Sequence, residues 1–176
     1  MSIKVGWAVD PYFSNTIRTS ITKGYDYSKN PPLEIADLFD PGYVTQSIGF
    51  TYDKLKHFNT RLGLAAQEVF TKNNTKYTDD IATAKIEKFK FETGLESVSS
   101  AEFSAAENIL VKSSLRLFTR FENLKVWDVR WDNALVAKVN DFINVNLAFL
   151  LVYQEDQSKQ AQIKEALQLG FVYTIF

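Results

Sequence analysis

Hydrophobic and polar residues alternate with a period of two along most of this chain. In KVWDVRWDNALVAKVND, residues 125–141, they separate into two sets. The apolar set is Trp127, Val129, Trp131, Leu135, Ala137 and Val139, and the polar set is Asp128, Arg130, Asp132, Lys138 and Asn140. Such alternation is typical of a β-strand with one polar and one apolar face. The segment therefore predicts a long strand with tryptophans on one face and charges of both signs on the other.

The same pattern recurs in seven further segments. Their apolar positions run from Ile3 to Ile21, Val44 to Tyr52, Phe58 to Leu64, Phe89 to Leu95, Ile109 to Phe121, Ile143 to Tyr153 and Ile163 to Ile175. Two stretches, Ser100–Leu110 and Ser158–Gln168, are rich in residues with high helix propensity, but the alternation continues through their far ends. We predict about eight consecutive antiparallel strands, in a single domain over residues 1–176.

The breaks between these segments alternate in length. SKNPPLEIADLFDPG and TKNNTKYTDDIATAKIE are long, whereas DKLKH, SAAEN and VNDF are short. The breaks FENLK and YQEDQSKQ are expected to belong with the long set. Long loops at one rim and tight turns at the other are typical of bacterial outer-membrane barrels. The sequence therefore predicts an all-β, antiparallel, up-and-down transmembrane β-barrel of about eight strands.

The polar positions of the predicted strands carry charges of both signs at neighbouring heights. We expect them to face a narrow lumen crossed by ion pairs, which is the arrangement of a membrane barrel and the reverse of a lipocalin-like cup. This predicted set is Lys90, Glu92, Glu96, Lys112, Arg116, Arg120, Asp128, Arg130, Asp132 and Lys138.

Aromatic residues are frequent at the apolar positions and lie mainly near strand ends. Amphipathic rings favour the boundary between lipid and water, so we expect them there. This predicted set is Trp7, Phe121, Trp127, Trp131, Tyr153, Phe171 and Tyr173. They favour the membrane barrel, which we expect to act as a structural or interaction module with a lumen mostly filled by side chains. Such a module could be a component of a larger membrane complex. The alternatives are a soluble lipocalin-like carrier of a small apolar ligand and a narrow pore.

Composition excludes several kinds of chemistry. The chain has no cysteine and one histidine, so disulfides and thiolate metal sites are excluded and histidine metal sites nearly so. Its net charge of -1 gives no field that would attract nucleic acid. His57 lies beside a predicted turn, and general-base catalysis needs a nucleophile and an orienting acid close by. We therefore expect no enzymatic activity, no cofactor and no metal site.

The stretch QLGFVYTI, from Gln168 to Ile175, looks like the carboxyl-terminal signal that the barrel-assembly machinery of outer membranes reads. It departs from that pattern at its end, because Phe176 falls one residue out of phase with Phe171 and Tyr173.

Four stretches resemble a family of uncharacterised, porin-like outer-membrane β-barrel proteins of gliding-type and related bacteria of the Bacteroidetes type. These are Ile17 to Tyr27, Asp40 to Asp53, Ser114 to Asp156 and Ile163 to Phe176. The resemblance implies a location in the outer membrane, contact with its lipids and no known catalytic residues. Family members usually carry additional amino-terminal sequence, and they tend to have an aromatic residue where this chain has Ile175. The amino terminus MSIKVGW has no secretory signal, so this location implies a mature chain with a new start methionine.

Overall fold

The computed structural model describes residues 8–79, 83–155 and 160–172, and β-strands account for most of them. The strands are β1 (Asp10–Thr19), β2 (Gly24–Asp26), β3 (Leu33–Ala36), β4 (Gly42–Leu55), β5 (Phe58–Phe70), β6 (Phe89–Ala106), β7 (Ile109–Arg120), β8 (Asn123–Lys138), β9 (Ile143–Tyr153) and β10 (Gln162–Phe171). A single 3-10 turn, Thr75–Tyr77, lies between β5 and β6. Within the described ranges, no helix is both long and apolar enough to span a bilayer.

Eight of these strands form one sheet in the order β1-β4-β5-β6-β7-β8-β9-β10, and every neighbouring pair is antiparallel. The prediction of eight antiparallel, up-and-down strands is confirmed. Both stretches with helix propensity are strands where they are described: residues 100–106 belong to β6 and residues 162–168 to β10. The short strands β2 and β3 pair separately, inside the connection from β1 to β4.

The prediction of a closed barrel is not met, because the sheet is open between β1 and β10. Within the described residues, β1 pairs with β4 alone and β10 with β9 alone. Gln162, Lys164 and Gln168 of β10 are consequently exposed. Alternation specifies which face of a strand is buried, but closure depends on which two edges meet, and the alternation pattern carries no signal for that.

The connections divide between the two ends of the sheet. Those from β1 to β4, β5 to β6, β7 to β8 and β9 to β10 lie at one end, which we call the long-loop rim. Those from β4 to β5, β6 to β7 and β8 to β9 lie at the other end, the short-turn rim. This is the division that the sequence predicts, although the β7–β8 connection is only a two-residue turn, Phe121 and Glu122.

Burial on the sheet is inverted relative to a water-soluble protein. We define the polar face by the even-numbered residues of β1 and β6–β10 and the odd-numbered residues of β4 and β5, which the strand register places on one side. Among the described residues, the buried hydrophobic side chains are Tyr12, Tyr43, Ala65, Val69 and Phe118, all on this face. The opposite side, the apolar face, exposes side chains such as Ile48, Leu62 and Leu167, with exposed fractions of 62%, 61% and 74%.

Two glycines make room for a buried tyrosine on the polar face. Gly49 of β4 pairs directly with Gly63 of β5, and Tyr12 of β1 lies opposite Gly49. A Cβ atom on Gly63 would overlap the Tyr12 hydroxyl and the backbone of Ile48. The Tyr12 ring is buried there, and the guanidinium of Arg61 lies 5.3 Å from its centroid. Both positions therefore require glycine because of close approach.

We predict that Gly63→Ala lowers the free energy of unfolding by about 1–3 kcal/mol, because the added methyl group overpacks the face beneath Tyr12. Equilibrium urea unfolding measures the change. Ala66→Val, on the apolar face of the same strand, is the matched control and should stay within about 0.5 kcal/mol of the parent. Equal stability of Gly63→Ala and the parent chain would contradict the close packing described here.

Candidate functional site

A network of ion pairs occupies the polar face near the long-loop rim. Arg116 of β7 donates from Nε to Glu96 of β6 at 2.7 Å and from Nη2 to Gln67 of β5 at 3.4 Å. Arg61 of β5 approaches the other oxygen of Glu96 at 3.7 Å. Glu96 is only 2% exposed, so this carboxylate has exchanged water for two guanidinium groups.

A second arginine joins two further buried carboxylates. Arg120 donates from Nε to Glu92 of β6 and from Nη2 to Asp128 of β8 at 3.1 Å. Glu92 also accepts from Gln67 Nε2 at 3.2 Å and pairs with Lys90 at 2.8 Å. Asp128 is 3% exposed. Gln67 bonds both Arg116 and Glu92, so the two arginine clusters form one network across β5–β8.

Phe118 separates the two arginines and is completely buried. It lies on the same face of β7 as Arg116 and Arg120, whose guanidinium carbons are 5.6 and 6.0 Å from its ring centroid. Cations at this distance from a ring face are attracted to it. The sequence prediction omitted Phe118, although its even number in β7 places it on the polar face. The predicted set of interior residues also omitted Arg61 and Gln67.

The network fills the space between opposite parts of the curled sheet. Arg18 of β1 stacks over Tyr43 of β4 at 4.8 Å and interacts electrostatically with Arg116, Asp128 and Arg130. In the sheet order β1 is four positions from β7 and five from β8, so their polar faces must turn toward each other. Between Tyr43, Gln67, Glu92, Arg120 and neighbouring residues a void of only about 10 Å³ remains. That is about the space of one water molecule.

All ten predicted charged residues lie at polar-face positions, but they do not form one cluster. Lys90, Glu92, Glu96, Arg116, Arg120 and Asp128 belong to the network. The other four pair separately, closer to the short-turn rim. Arg130 makes two hydrogen bonds of 2.8 Å to Asp132, Lys112 pairs with Glu102 at 3.0 Å, and Lys138 pairs with Asp141 at 2.6 Å.

The predicted interface aromatics are largely exposed where they are described. Trp127 and Trp131 are each 41% exposed, and Phe121 and Phe171 are also exposed, whereas Tyr153 is half-buried. Trp131 contacts Phe149 edge-on at 6.2 Å and donates from Nε1 to Ser113 at 3.0 Å. Trp7 and Tyr173 lie outside the described residues. The same holds for residues 173–175 of the proposed insertion signal, whereas residues 168–171 end β10.

A buried aspartate clamps the two long loops together at the long-loop rim. The Asp40 carboxylate accepts backbone N–H groups of Lys72, Asn73 and Asn74 at 2.9, 2.8 and 3.2 Å, and the Asn74 side chain at 3.2 Å. Burial opposes the charge of Asp40, but these hydrogen bonds prevail and hold its pKa below the ordinary value. The Tyr77 hydroxyl adds a second link, to the Ile35 carbonyl at 3.3 Å.

His57 lies in the tight turn between β4 and β5, as the sequence predicts. Its backbone carbonyl accepts from the Glu102 N–H at 3.0 Å, and its Nδ1 is 3.0 Å from the Glu102 carbonyl. A carbonyl oxygen only accepts, so Nδ1 carries the hydrogen. Within residues 8–79, 83–155 and 160–172, no group of three histidine or acidic side chains is arranged to hold a metal ion.

Comparisons with protein-family models, with curated proteins and with solved structures found no match to this chain. The resemblance to an outer-membrane barrel family therefore stays a prediction, and the function must be argued from geometry.

We predict that Arg120→Ala lowers the free energy of unfolding by about 3–5 kcal/mol, because it leaves Glu92 and Asp128 buried without their shared cation. Urea unfolding followed by circular dichroism measures this change. Lys125→Ala removes one exposed cation from the apolar face of β8 and should change stability by less than about 0.5 kcal/mol. If both variants were equally stable, the network would not be a principal source of stability.

We predict that Asp40→Ala removes the protection of the Lys72, Asn73 and Asn74 amides against hydrogen exchange, since it deletes their common acceptor. Asp26→Ala is the matched control, because Asp26 lies in the same loop but bonds Ser28. The pKa of Asp40 is lowered in the folded chain, so the stability that its carboxylate contributes is fully present above the ordinary pKa of about 3.9. In the parent chain this stability, and the amide protection that depends on it, should be lost as the pH falls through the lower pKa of folded Asp40. Unchanged exchange at these three amides in Asp40→Ala would refute the clamp.

Proposed function

We propose that this chain is an outer-membrane β-barrel that acts as a structural or interaction module, with an interior that side chains fill near the long-loop rim. One observation carries the proposal: the sheet buries charged side chains, including Glu92, Glu96 and Asp128, and exposes large apolar ones. In water this arrangement would leave a very large apolar surface uncovered, which monomeric soluble proteins rarely do. Acyl chains of lipids would cover that surface without any further protein.

The strand lengths support the same conclusion. A tilted strand needs about 9–11 residues to cross the hydrocarbon core, whereas strands of globular proteins have about 5–6. All eight strands of the main sheet reach this length, from 10 residues in β1 and β10 to 18 in β6. None of the eight is a short edge strand of the kind that protects open sheets in soluble proteins.

Closure of the sheet between β1 and β10 is part of this proposal. Eight alternating strands bring β1 and β10 into antiparallel orientation, so their edges are compatible. An open edge is unfavourable in lipid, because each unpaired backbone N–H and C=O group would lack a hydrogen-bond partner. Insertion would therefore favour the closed arrangement, and recognition of Gln168 to Ile175 by the barrel-assembly machinery would guide it.

The interaction role rests on the long-loop rim. The Asp40 clamp holds two long loops against each other, so they present one ordered surface rather than two independent loops. Outer-membrane lipids around the barrel and a protein bound at this rim are the partners that we propose.

The soluble carrier and the narrow pore are less compatible with the interior. A lipocalin-like cavity for an apolar ligand is lined by apolar side chains, whereas the interior here holds Glu92, Glu96 and Asp128. A pore needs a continuous passage, and near the long-loop rim the void measures only about 10 Å³.

We predict that Leu135→Arg impairs insertion into lipid vesicles, and that Leu117→Arg does the same. Both leucines lie on the apolar face, and arginine facing the bilayer midplane costs about 2–4 kcal/mol. The folded, protease-protected fraction after mixing with vesicles measures insertion, and Leu135→Phe should insert like the parent chain. Equal insertion of Leu135→Arg, or a folded monomer that remains in water without detergent, would overturn the membrane assignment.

A further inference from the structure

The polar face contains a second region, a cavity of about 800 Å³ near the short-turn rim. Its wall comes from β4 to β10 and from the turn that holds Lys56 and His57. The ion-pair network lies at the other end of the same face, so the cavity belongs to neither the network nor the loop clamp.

The cavity exists because small side chains meet there in register. Ala134 of β8, Ala148 of β9 and Ala166 of β10 are direct cross-strand neighbours on the polar face. Ser100 of β6 and Ser114 of β7 pair in the same way one row closer to the network. At the network end, β5 and β7 contribute larger side chains, namely Gln67, Arg116, Phe118 and Arg120, which fill the space there.

The charges around the cavity do not balance after internal pairing. Two of its acidic residues pair with cations, Glu102 with Lys112 at 3.0 Å and Asp132 with Arg130 at 2.8 Å, and Asp53 has an interaction of its own. Two lysines that line the same cavity, Lys56 and Lys164, make no ion pair or hydrogen bond to any described residue. Their exposed ammonium groups place positive charge beside a concave space, which favours an anion.

We propose that this cavity binds a small organic or inorganic anion that carries carboxylate or phosphate groups. The ammonium groups of Lys56 and Lys164 pair with its charge. The hydroxyl groups of Ser100 and Ser114 share one hydrogen bond at 3.3 Å, which leaves one O–H free to donate to an oxygen of the anion. A volume of about 800 Å³ lies in the range of small-molecule sites, which is roughly 300–1,000 Å³.

The cavity is open to solvent, because its wall ends at β10, which is an edge of the sheet. A small solute can therefore reach it from water. This proposal goes beyond the membrane assignment, since the cavity is formed by the sheet itself.

Isothermal titration calorimetry of the folded chain in detergent micelles tests the proposal, at low ionic strength with inorganic phosphate and glutarate as probes. We expect saturable binding of at least one probe, with the other reporting whether phosphate or carboxylate is preferred. The double variant Lys56→Gln/Lys164→Gln should bind roughly tenfold more weakly or worse, because it removes both charged partners. Lys125→Gln, which removes a cation from the apolar face near the other rim, should bind like the parent chain.

A second variant tests whether the probe binds inside the cavity or on the surface of the rim. Ala148→Leu adds bulk inside the cavity without changing any charge, and we expect it to abolish binding while circular dichroism remains unchanged. The proposal is overturned if the parent chain binds neither probe saturably, if the double lysine variant binds as well as the parent, or if Ala148→Leu retains full affinity. None of these outcomes depends on insertion of the chain into a membrane.

Discussion

The structure depends on the pairing of partly buried arginines with buried carboxylates. Glu92, Glu96 and Asp128 have almost no contact with water, and an isolated charge in such a place would cost several kcal/mol. Arg116 and Arg120 offset this cost because each guanidinium aligns with a carboxylate across neighbouring strands. Alternation along each strand brings these groups to one face, and the antiparallel register brings them to matching heights. The interior is thus specified by charge complementarity where a soluble protein would use apolar packing.

That interior has a direct consequence for the other face. When the polar positions of every strand turn inward, the apolar positions turn outward, since successive side chains point to opposite sides. Burying Leu62, Leu135 and Leu167 in a core would require the sheet to curl the other way, which would place the polar set on the outside. The inverted burial is therefore a property of the whole sheet and not of a local patch. It is also the observation on which the proposal of a lipid environment rests.

The sequence is sufficient to predict the strands and their faces, because a period of two is a strong signal when eight segments repeat it. Every charge predicted for the interior lies on the polar face for that reason. Other features depend on contacts between distant residues, and no local pattern encodes them. Closure depends on two edges that are far apart in the chain. The loop clamp joins Asp40 to residues 72–74, and Phe118 is recognisable as an interior residue only after its position between two arginines is considered.

The two halves of the polar face show how residue size divides one strand pattern into two environments. Near the long-loop rim, arginines, Phe118 and Gln67 meet across the curled sheet and leave space for about one water molecule. Near the short-turn rim, Ala134, Ala148 and Ala166 meet in register, and the same curvature leaves a large cavity. Hydrophobic periodicity is identical in both halves, so side-chain volume alone makes the difference. A barrel of eight strands normally has just enough interior for side chains to fill. The three alanines in one row leave more space than such an interior normally has. This space is where we propose that an anion binds, beside Lys56 and Lys164.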